Sequence, residues 1–466
     1  MVKNTQNKEL QRGLEERHIT LMSLGAAIGV GLFLGSSTAI QTAGPGILVV
    51  YAIAGLIMFF IMRALGEMAI QKPVAGSFSQ YSHDYLGPLA GYLTGWTYWF
   101  LWIATCMAEI TAVGIYMQYW IPDIPRWLWS LAALLLMSLV NFLAVKAYGE
   151  LEFWFALIKI VTIILMIVSG AGMIIFGFGN GGIATGIHNL WSHGGFFPHG
   201  INGLLMSMQM VMFAYLGIEM IGVTAGEVKN PQKNLAKAID NVFWRILIFY
   251  VGALFVIMSI YPWNEIGSKG SPFVLTFEQL GIPAAAGIIN FVVLTAALSS
   301  CNSGIFSTAR MLFNLAENGD APKKLGRVTK NGIPGFAVIC SAVVLLMGVL
   351  LNYVVPAKVF TWVTSIATFA AIWTWGIILL SQIAYRKNLN SSEKKTLKYK
   401  VPFFPLSSYI SLVFLAFVLV VMAISPDTRI ALYVGPSWII LLIAFYFLTG
   451  LHKKNSKDRI KEEHIS

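Results

Sequence analysis

Twelve times along this chain the sequence stays apolar for the length of a membrane-crossing helix, and that recurrence restricts the fold before any motif is read. The stretches run over residues 19-40, 46-66, 93-116, 128-146, 152-176, 203-225, 242-261, 281-303, 334-352, 359-382, 406-424 and 430-450. About 20 helical residues cross ~30 Å of hydrocarbon, and inside hydrocarbon the backbone must satisfy its own hydrogen bonds. Only 11% of the 466 residues are charged and 57% are hydrophobic, whereas a soluble domain carries about a quarter charged residues. The expectation is an all-α integral membrane protein with twelve transmembrane helices, embedded in a lipid bilayer.

Basic residues orient those spans. The net charge of +11 would suggest nucleic acid in a soluble chain. Here the lysines and arginines sit in short connections between apolar stretches, which sets orientation rather than a binding face, so no nucleic-acid partner is expected. With the N-terminus inside, the inner segments hold 27 Lys and Arg, the outer ones only Arg126, Lys269, Lys358 and Arg429, and Lys159 lies within a span. Both termini are therefore expected to be cytoplasmic. The apolar stretch after the polar residues 1-18 is too long for a signal peptide and lacks its cleavage pattern, so it reads as a retained span. The chain then divides into an N-terminal segment (1-18), a ten-span core (19-382), a basic linker (383-405), two accessory spans (406-450) and a charged tail (451-466). Cys106, Cys301 and Cys340 all fall in apolar spans and imply neither a disulfide framework nor a thiolate metal cluster.

Two stretches, one in each half of the chain, are broken by glycine. The first reads GAAIGVGLF over Gly25–Phe33, and the second reads FAYLGIE over Phe213–Glu219. Glycines four apart also permit close helix packing, which is the competing explanation for Gly25, Gly29 and Gly31. As a true interruption, the first break would start a half-helix near Gly29 whose free N–H groups and positive dipole end suit a carboxylate. The helix before Phe213 would end in free carbonyls suited to an ammonium group. Matched interruptions in two halves of a chain point to a site at mid-membrane depth, and these two polarities together match the backbone of an α-amino acid.

Ordered motifs then identify a relationship. They are LQRGLEERHI before the first span, AGPGILVVYAIAG and MRALGEM around the second, and GELEFWFALIKI opening the fifth. GIEMIGVTAGEVKNPQ follows the second break, and ALSSCNSGIFSTARMLFNLAENGDAPK runs through and beyond the eighth span. Nearly end to end, the chain resembles bacterial permeases of the amino acid–polyamine–organocation superfamily, in its amino-acid transporter branch. It is most similar to proline-specific and threonine/serine-type members. The resemblance implies inverted repeats made of spans 1–5 and 6–10, with broken helices 1 and 6 and two accessory helices. It implies alternating access without a bound cofactor. It assigns the substrate carboxylate to backbone N–H groups around Gly29, Val30 and Gly31, and the ammonium to carbonyls of Ala27, Phe213, Ala214 and Leu216. Val30 stands where many members carry Ser or Thr, so only backbone donation transfers there. Phe213 matches an aromatic that closes over substrate in relatives.

Ionisable groups inside the spans are the remaining signals. Lys159 lies about 12 Å into the fifth span, where an ionised lysine costs ~3 kcal/mol or more unless it snorkels. Relatives place a lysine here where sodium-coupled cousins hold a sodium ion. The resemblance thus makes Lys159 the proton-coupling group, bonded to carbonyls near Gly25 and to Ser299 or Ser300. Glu219 and Glu109 are further coupling candidates, although Glu109 can equally pair across helices without meeting substrate. Glu227 is a gate or a solvated helix end. Arg63 and Glu67, four apart, are expected to pair locally. Gly217, Asn302 and Ser303 are cavity candidates, as are Thr361, Ser365 and Thr368, with Ser365 on the substrate side. His188, His193 and His199 have no metal-ligand spacing.

The expected function is import of a neutral amino acid with protons across a bacterial inner membrane. Obligate exchange is the near alternative. Histidine, glycine, D-alanine, D-serine and cationic amino acids are alternative substrates, and a sensor that binds without net flux is the alternative class. No HExxH or GxSxG motif sits at membrane depth to suggest an enzyme, and no oligomeric state is implied.

Overall fold

A computed structural model describes residues 28–74, 76–142, 145–178, 180–223, 231–266, 271–279, 283–329 and 332–453. All regular elements among them are helical. Among the described residues nine helices are long and apolar enough to cross a membrane, and the apolar helices Arg126–Val140 and Gly200–Ala214 are shorter. In chain order the spans are numbered as follows. Span 1 enters the described residues at Ile28 and continues through Gly31–Gly35 and Ser36–Ala43; span 2 is Ile47–Gln71. Span 3 is Pro88–Met117, span 4 Arg126–Val140 and span 5 Val145–Phe176. Span 6 is Gly200–Ala214 with Met220–Val223 beyond its break, and span 7 runs from Pro231–Arg245 through Ile246–Gly252 to Ala253–Ile260. Spans 8 to 12 are Pro283–Glu317, Gly335–Val354, Val359–Asn388, Leu406–Ile424 and Ile430–Leu448.

Helix ends follow local chemistry. Gly87 closes the short helix Ser77–Leu86 at φ 106°, a backbone region only glycine visits freely, and Pro88 then starts span 3 where its missing N–H is harmless. Asn390 and Glu393 form a reciprocal capping box on the helix Ser391–Thr396. Span 8 extends to Glu317 and span 10 to Asn388, further than their apolar stretches, because polar residues continue both helices beyond the hydrocarbon-length segment.

Burial separates an inner helix from peripheral ones. Span 3 is the axis, packed along spans 4, 8, 9 and 10, and it buries Tyr98, Trp102 and Tyr116. Of the most apolar stretch of span 3, 78% is buried, against 28% for span 12, whose Ile440, Leu441 and Leu448 face outward. An apolar surface of that extent is stable against lipid tails and not against water. By the same measure of burial, span 5 (33%) and spans 9 and 11 (39% each) also lie at the periphery.

The expected local pair between Arg63 and Glu67 is not what forms. Arg63 instead reaches span 7, donating to Asp240 at 2.6 Å, and lies over the Tyr399 ring at 3.7 Å. Glu67 receives both arms of the Arg386 guanidinium from span 10, Gln382 Nε2 at 3.1 Å and the Val401 N–H at 2.7 Å. Four donors from distant segments satisfy a buried carboxylate better than one neighbour on its own helix can. The region between spans 10 and 11 is consequently held against spans 2, 7 and 10.

Candidate functional site

The two glycine-broken segments meet. The Gly29 carbonyl accepts from both Leu32 N–H (3.2 Å) and Phe33 N–H (3.3 Å), so the helix begins immediately after a bend at Gly29. Span 6 stops at Ala214 and passes through turns closed by Leu216 N–H to Phe213 O (3.1 Å) and Met220 N–H to Gly217 O (3.1 Å), with Gly217 at φ 93°. A Cβ on Gly31 would lie 2.6 Å from Ala214 Cα and 3.1 Å from its N. The same construction on Gly35 meets Met210 Sδ at 2.6 Å, and on Gly203 it meets Ala43 Cα at 3.4 Å. The half-helices thus run antiparallel with their broken ends together. Gly31 and Gly35 serve the close packing that competed as an explanation, and the described helix of span 1 starts just after the bend at Gly29.

A buried ionic cluster faces the first break. Lys159 Nζ donates to the Ile28 carbonyl at 3.2 Å, across from span 5 to span 1. Glu109 of span 3 points at the start of the half-helix. Its Oε1 lies 2.9 Å from where a Gly29 Cβ would be, and the Val30 N–H and Ser300 hydroxyl interact with its carboxylate. The third member, Glu152, was not anticipated. It accepts from Ser299 Oγ at 2.6 Å, with Ser303 and Asn302 alongside, and it shares Lys159 with Glu109. Its signal was present: seven residues before Lys159 is two helical turns, which places both on one face. Asn302 is further fixed by Asn141 Nδ2 on its Oδ1 at 2.9 Å. Glu109, Glu152 and Lys159 are each no more than 2% exposed, so the cluster must neutralise itself with one another and with backbone dipoles.

At the second break Glu219 acts on its own turn. It accepts from Gly217 N–H and from Trp375 Nε1 of span 10, both at 3.3 Å. Three tyrosines pack behind it: Tyr215 donates to Tyr51 O at 2.6 Å and Tyr250 donates to Ala214 O at 2.9 Å. The Ala214 carbonyl thus accepts the Tyr250 hydroxyl and keeps a second lone pair, while the Phe213 carbonyl is taken up by the turn that follows it. The Phe213 ring meets Phe360 edge-on at 6.4 Å. Ser365 is fully buried and turns its hydroxyl onto Thr361 O at 2.6 Å, while Thr368 bonds Gln209 Nε2 of span 6 at 2.9 Å. Gly25, Ala27 and Glu227 lie outside the described residues. His188, His193 and His199 bond Thr185 O, Ser192 Oγ and Thr42 O separately rather than converging.

Broken helices meeting inside an all-helical membrane core, next to buried charge, define a multi-pass solute carrier rather than an enzyme. Comparison with known proteins gives the family. The family model described as amino acid permease matches residues 18–462, and the chain belongs to that family, whose fold has twelve spans. It is 77% identical to the "uncharacterized amino acid permease YtnA" of Bacillus subtilis, covering 97% of both chains. It is 50% identical to the "probable threonine/serine transporter YbxG" of the same organism, covering 98% of this chain and 99% of that one. With the "aromatic amino acid transport protein AroP" of Escherichia coli it shares 45% identity over 93% of this chain and 95% of that one. The solute is accordingly an amino acid.

Proposed function

We propose that this permease imports a neutral L-amino acid, of the threonine/serine or proline type, together with protons. It would do so across a bacterial inner membrane, with both termini cytoplasmic. The observation that carries the reading is the Lys159 ammonium on the Ile28 carbonyl at 3.2 Å. A single protonated side chain there ties span 5 to the bend of span 1, and its deprotonation removes that tie. Substrate carboxylate at the N–H groups of Gly29 to Gly31 and ammonium at the carbonyls of Phe213, Ala214 and Leu216 would draw the two half-helices together. Loss of the Lys159 proton toward the cytoplasm would then free span 1 to open the inner side. Exchange of two conformations biased by ligand and proton is what alternating access requires. The threonine/serine reading takes support from the relative YbxG, which is half identical along its whole length.

Uptake of labelled L-threonine, L-serine and L-proline into proteoliposomes, with an inward proton gradient and empty lumen, tests this. Symport predicts accumulation that collapses with a protonophore and is lost in Lys159→Ala. Uptake that needs internal amino acid instead would establish exchange. Gradient-driven uptake that survives both Lys159→Ala and Lys159→Arg would remove Lys159 from coupling.

A further inference from the structure

We propose that the Glu109 carboxylate and the substrate's α-carboxylate compete for the same backbone donors at the start of the half-helix after Gly29, so that Glu109 takes up a proton as the amino acid binds. The inference rests on the amino-acid reading above and adds a second titrating group to it.

Three observations meet at one point. The described helix of span 1 starts at Val30 and runs to Ala43, so its first N–H groups and positive dipole end are aimed at the bend at Gly29. Glu109, 2% exposed, directs Oε1 at Gly29 and takes the Val30 N–H. Its Oε2 is buried without a hydrogen-bond partner among the described residues. A protein carboxylate therefore holds the position that an α-amino acid's carboxylate would need. Gly29 keeps that approach open, since a Cβ there would press on both Glu109 Oε1 (2.9 Å) and Ser300 Oγ (3.2 Å).

Two carboxylates sharing one set of donors in a site away from water cannot both stay ionised. Among the described residues Lys159 is the one cation facing Glu109, but it is bonded to Ile28 O and shared with Glu152, so its single charge cannot offset Glu109, Glu152 and a substrate carboxylate together. The other titratable groups facing Glu109 are Cys106 and Tyr116 on its own helix, and neither is a cation. From spans 1 and 8 the described groups against it are backbone and the Ser300 hydroxyl. When substrate arrives, Glu109 gains one proton from the aqueous side to which the site is open, and its neutral carboxyl leaves the Val30 N–H to the substrate. When substrate departs, Glu109 loses that proton and returns to Val30. Glu109 thus carries one proton with each amino acid beside the one that Lys159 releases, and between cycles it occupies the helix end that substrate vacates.

Isothermal titration of the full-length protein in detergent, with L-threonine as the first probe and the other 19 common amino acids after it, decides the matter. Titrations run from pH 5.5 to 8.5 in two buffers of different ionisation heat, which counts protons. The expected result is uptake of close to one proton per molecule bound at the alkaline end, with affinity falling about tenfold per pH unit there. Glu109→Gln should abolish that uptake and flatten the pH dependence. If Glu109→Gln does not yield folded protein, Glu109→Asp decides: its shorter reach withdraws the competitor, so threonine should bind more tightly than to wild type at pH 8. Unchanged affinity in Glu109→Asp, or a wild-type slope and proton count in Glu109→Gln, overturns the proposal. So does proton uptake lost in Lys159→Ala but kept in Glu109→Gln, which would leave the Lys159 reading standing. Absence of heat with all 20 amino acids would overturn the amino-acid reading itself.

Discussion

Replacing Gly31 by alanine should pry the two broken helices apart. The added Cβ would stand 2.6 Å from Ala214 Cα, whereas ordinary contact begins at 3.4 Å, so the half-helices must separate by about 0.8 Å. The obstructing atoms are backbone, with no rotamer through which to escape. Overpacking of this kind costs about 1–3 kcal/mol, which is roughly a 5- to 150-fold change in the equilibrium that assembles the site. Two glycines calibrate the effect. Gly35→Ala meets Met210 Sδ at 2.6 Å, a flexible tip that can swing aside, and Gly376→Ala has nothing within 4 Å. Gly376→Ala should even gain slightly from helix propensity. Thermal unfolding in detergent and amino-acid uptake in proteoliposomes should both rank Gly31→Ala as most damaged, Gly35→Ala next and Gly376→Ala as unharmed. A Gly31→Ala protein as stable and active as Gly376→Ala would show that the breaks do not meet at this contact.

Other outcomes follow from single bonds. Trp375→Phe removes the donor to Glu219 Oε2, which should cost about 1–3 kcal/mol and lower the melting temperature; Trp373→Phe, which deletes an N–H without a partner among the described residues, should melt like wild type. Glu67→Gln leaves the Arg386 guanidinium uncompensated and should destabilise by about 3–5 kcal/mol, with Glu67→Gln/Arg386→Gln recovering part of the loss in a double-mutant cycle. In the connection between spans 2 and 3, burial pushes Asp84 up, but bonds from His83, Lys72 and Gln80 outweigh it and hold the carboxyl at about 2. Because that lies below its ordinary 3.8, the stabilisation is complete above about pH 4 and lost as pH falls toward 2. Asp84→Asn should flatten the melting curve against pH in that window, by no more than about 2 kcal/mol and less in salt.

The candidate site was legible unevenly. Gly29, Gly31 and Gly217 stood out because glycine inside an apolar run marks either a break or a close helix contact, and Lys159 because charge in hydrocarbon needs a reason. Glu152 escaped, although its two-turn spacing from Lys159 was visible, because a carboxylate near the start of an apolar stretch reads as a solvated helix end. Glu109 was visible as a buried charge, but whether it would meet another helix or the break itself depended on how span 3 is rotated. Glu67 misled for a related reason. Its neighbour Arg63 satisfied the local rule, while its actual partner Arg386 is 319 residues away.

The sequence by itself determined the class of fold, the order of its apolar spans and where the sixth of them breaks. Each of those is a contest between one segment and its solvent, lipid or water, and needs no knowledge of the other segments. Which charges face each other, which carbonyls already hold a bond, and which glycines are pressed against backbone were decided only in the tertiary structure. Those properties depend on the rotation and depth of helices far apart in the chain. Lys159 reaches Ile28 across 131 residues, and Gly31 rests on Ala214; such pairings are fixed by the packing of the whole bundle, which no single segment encodes.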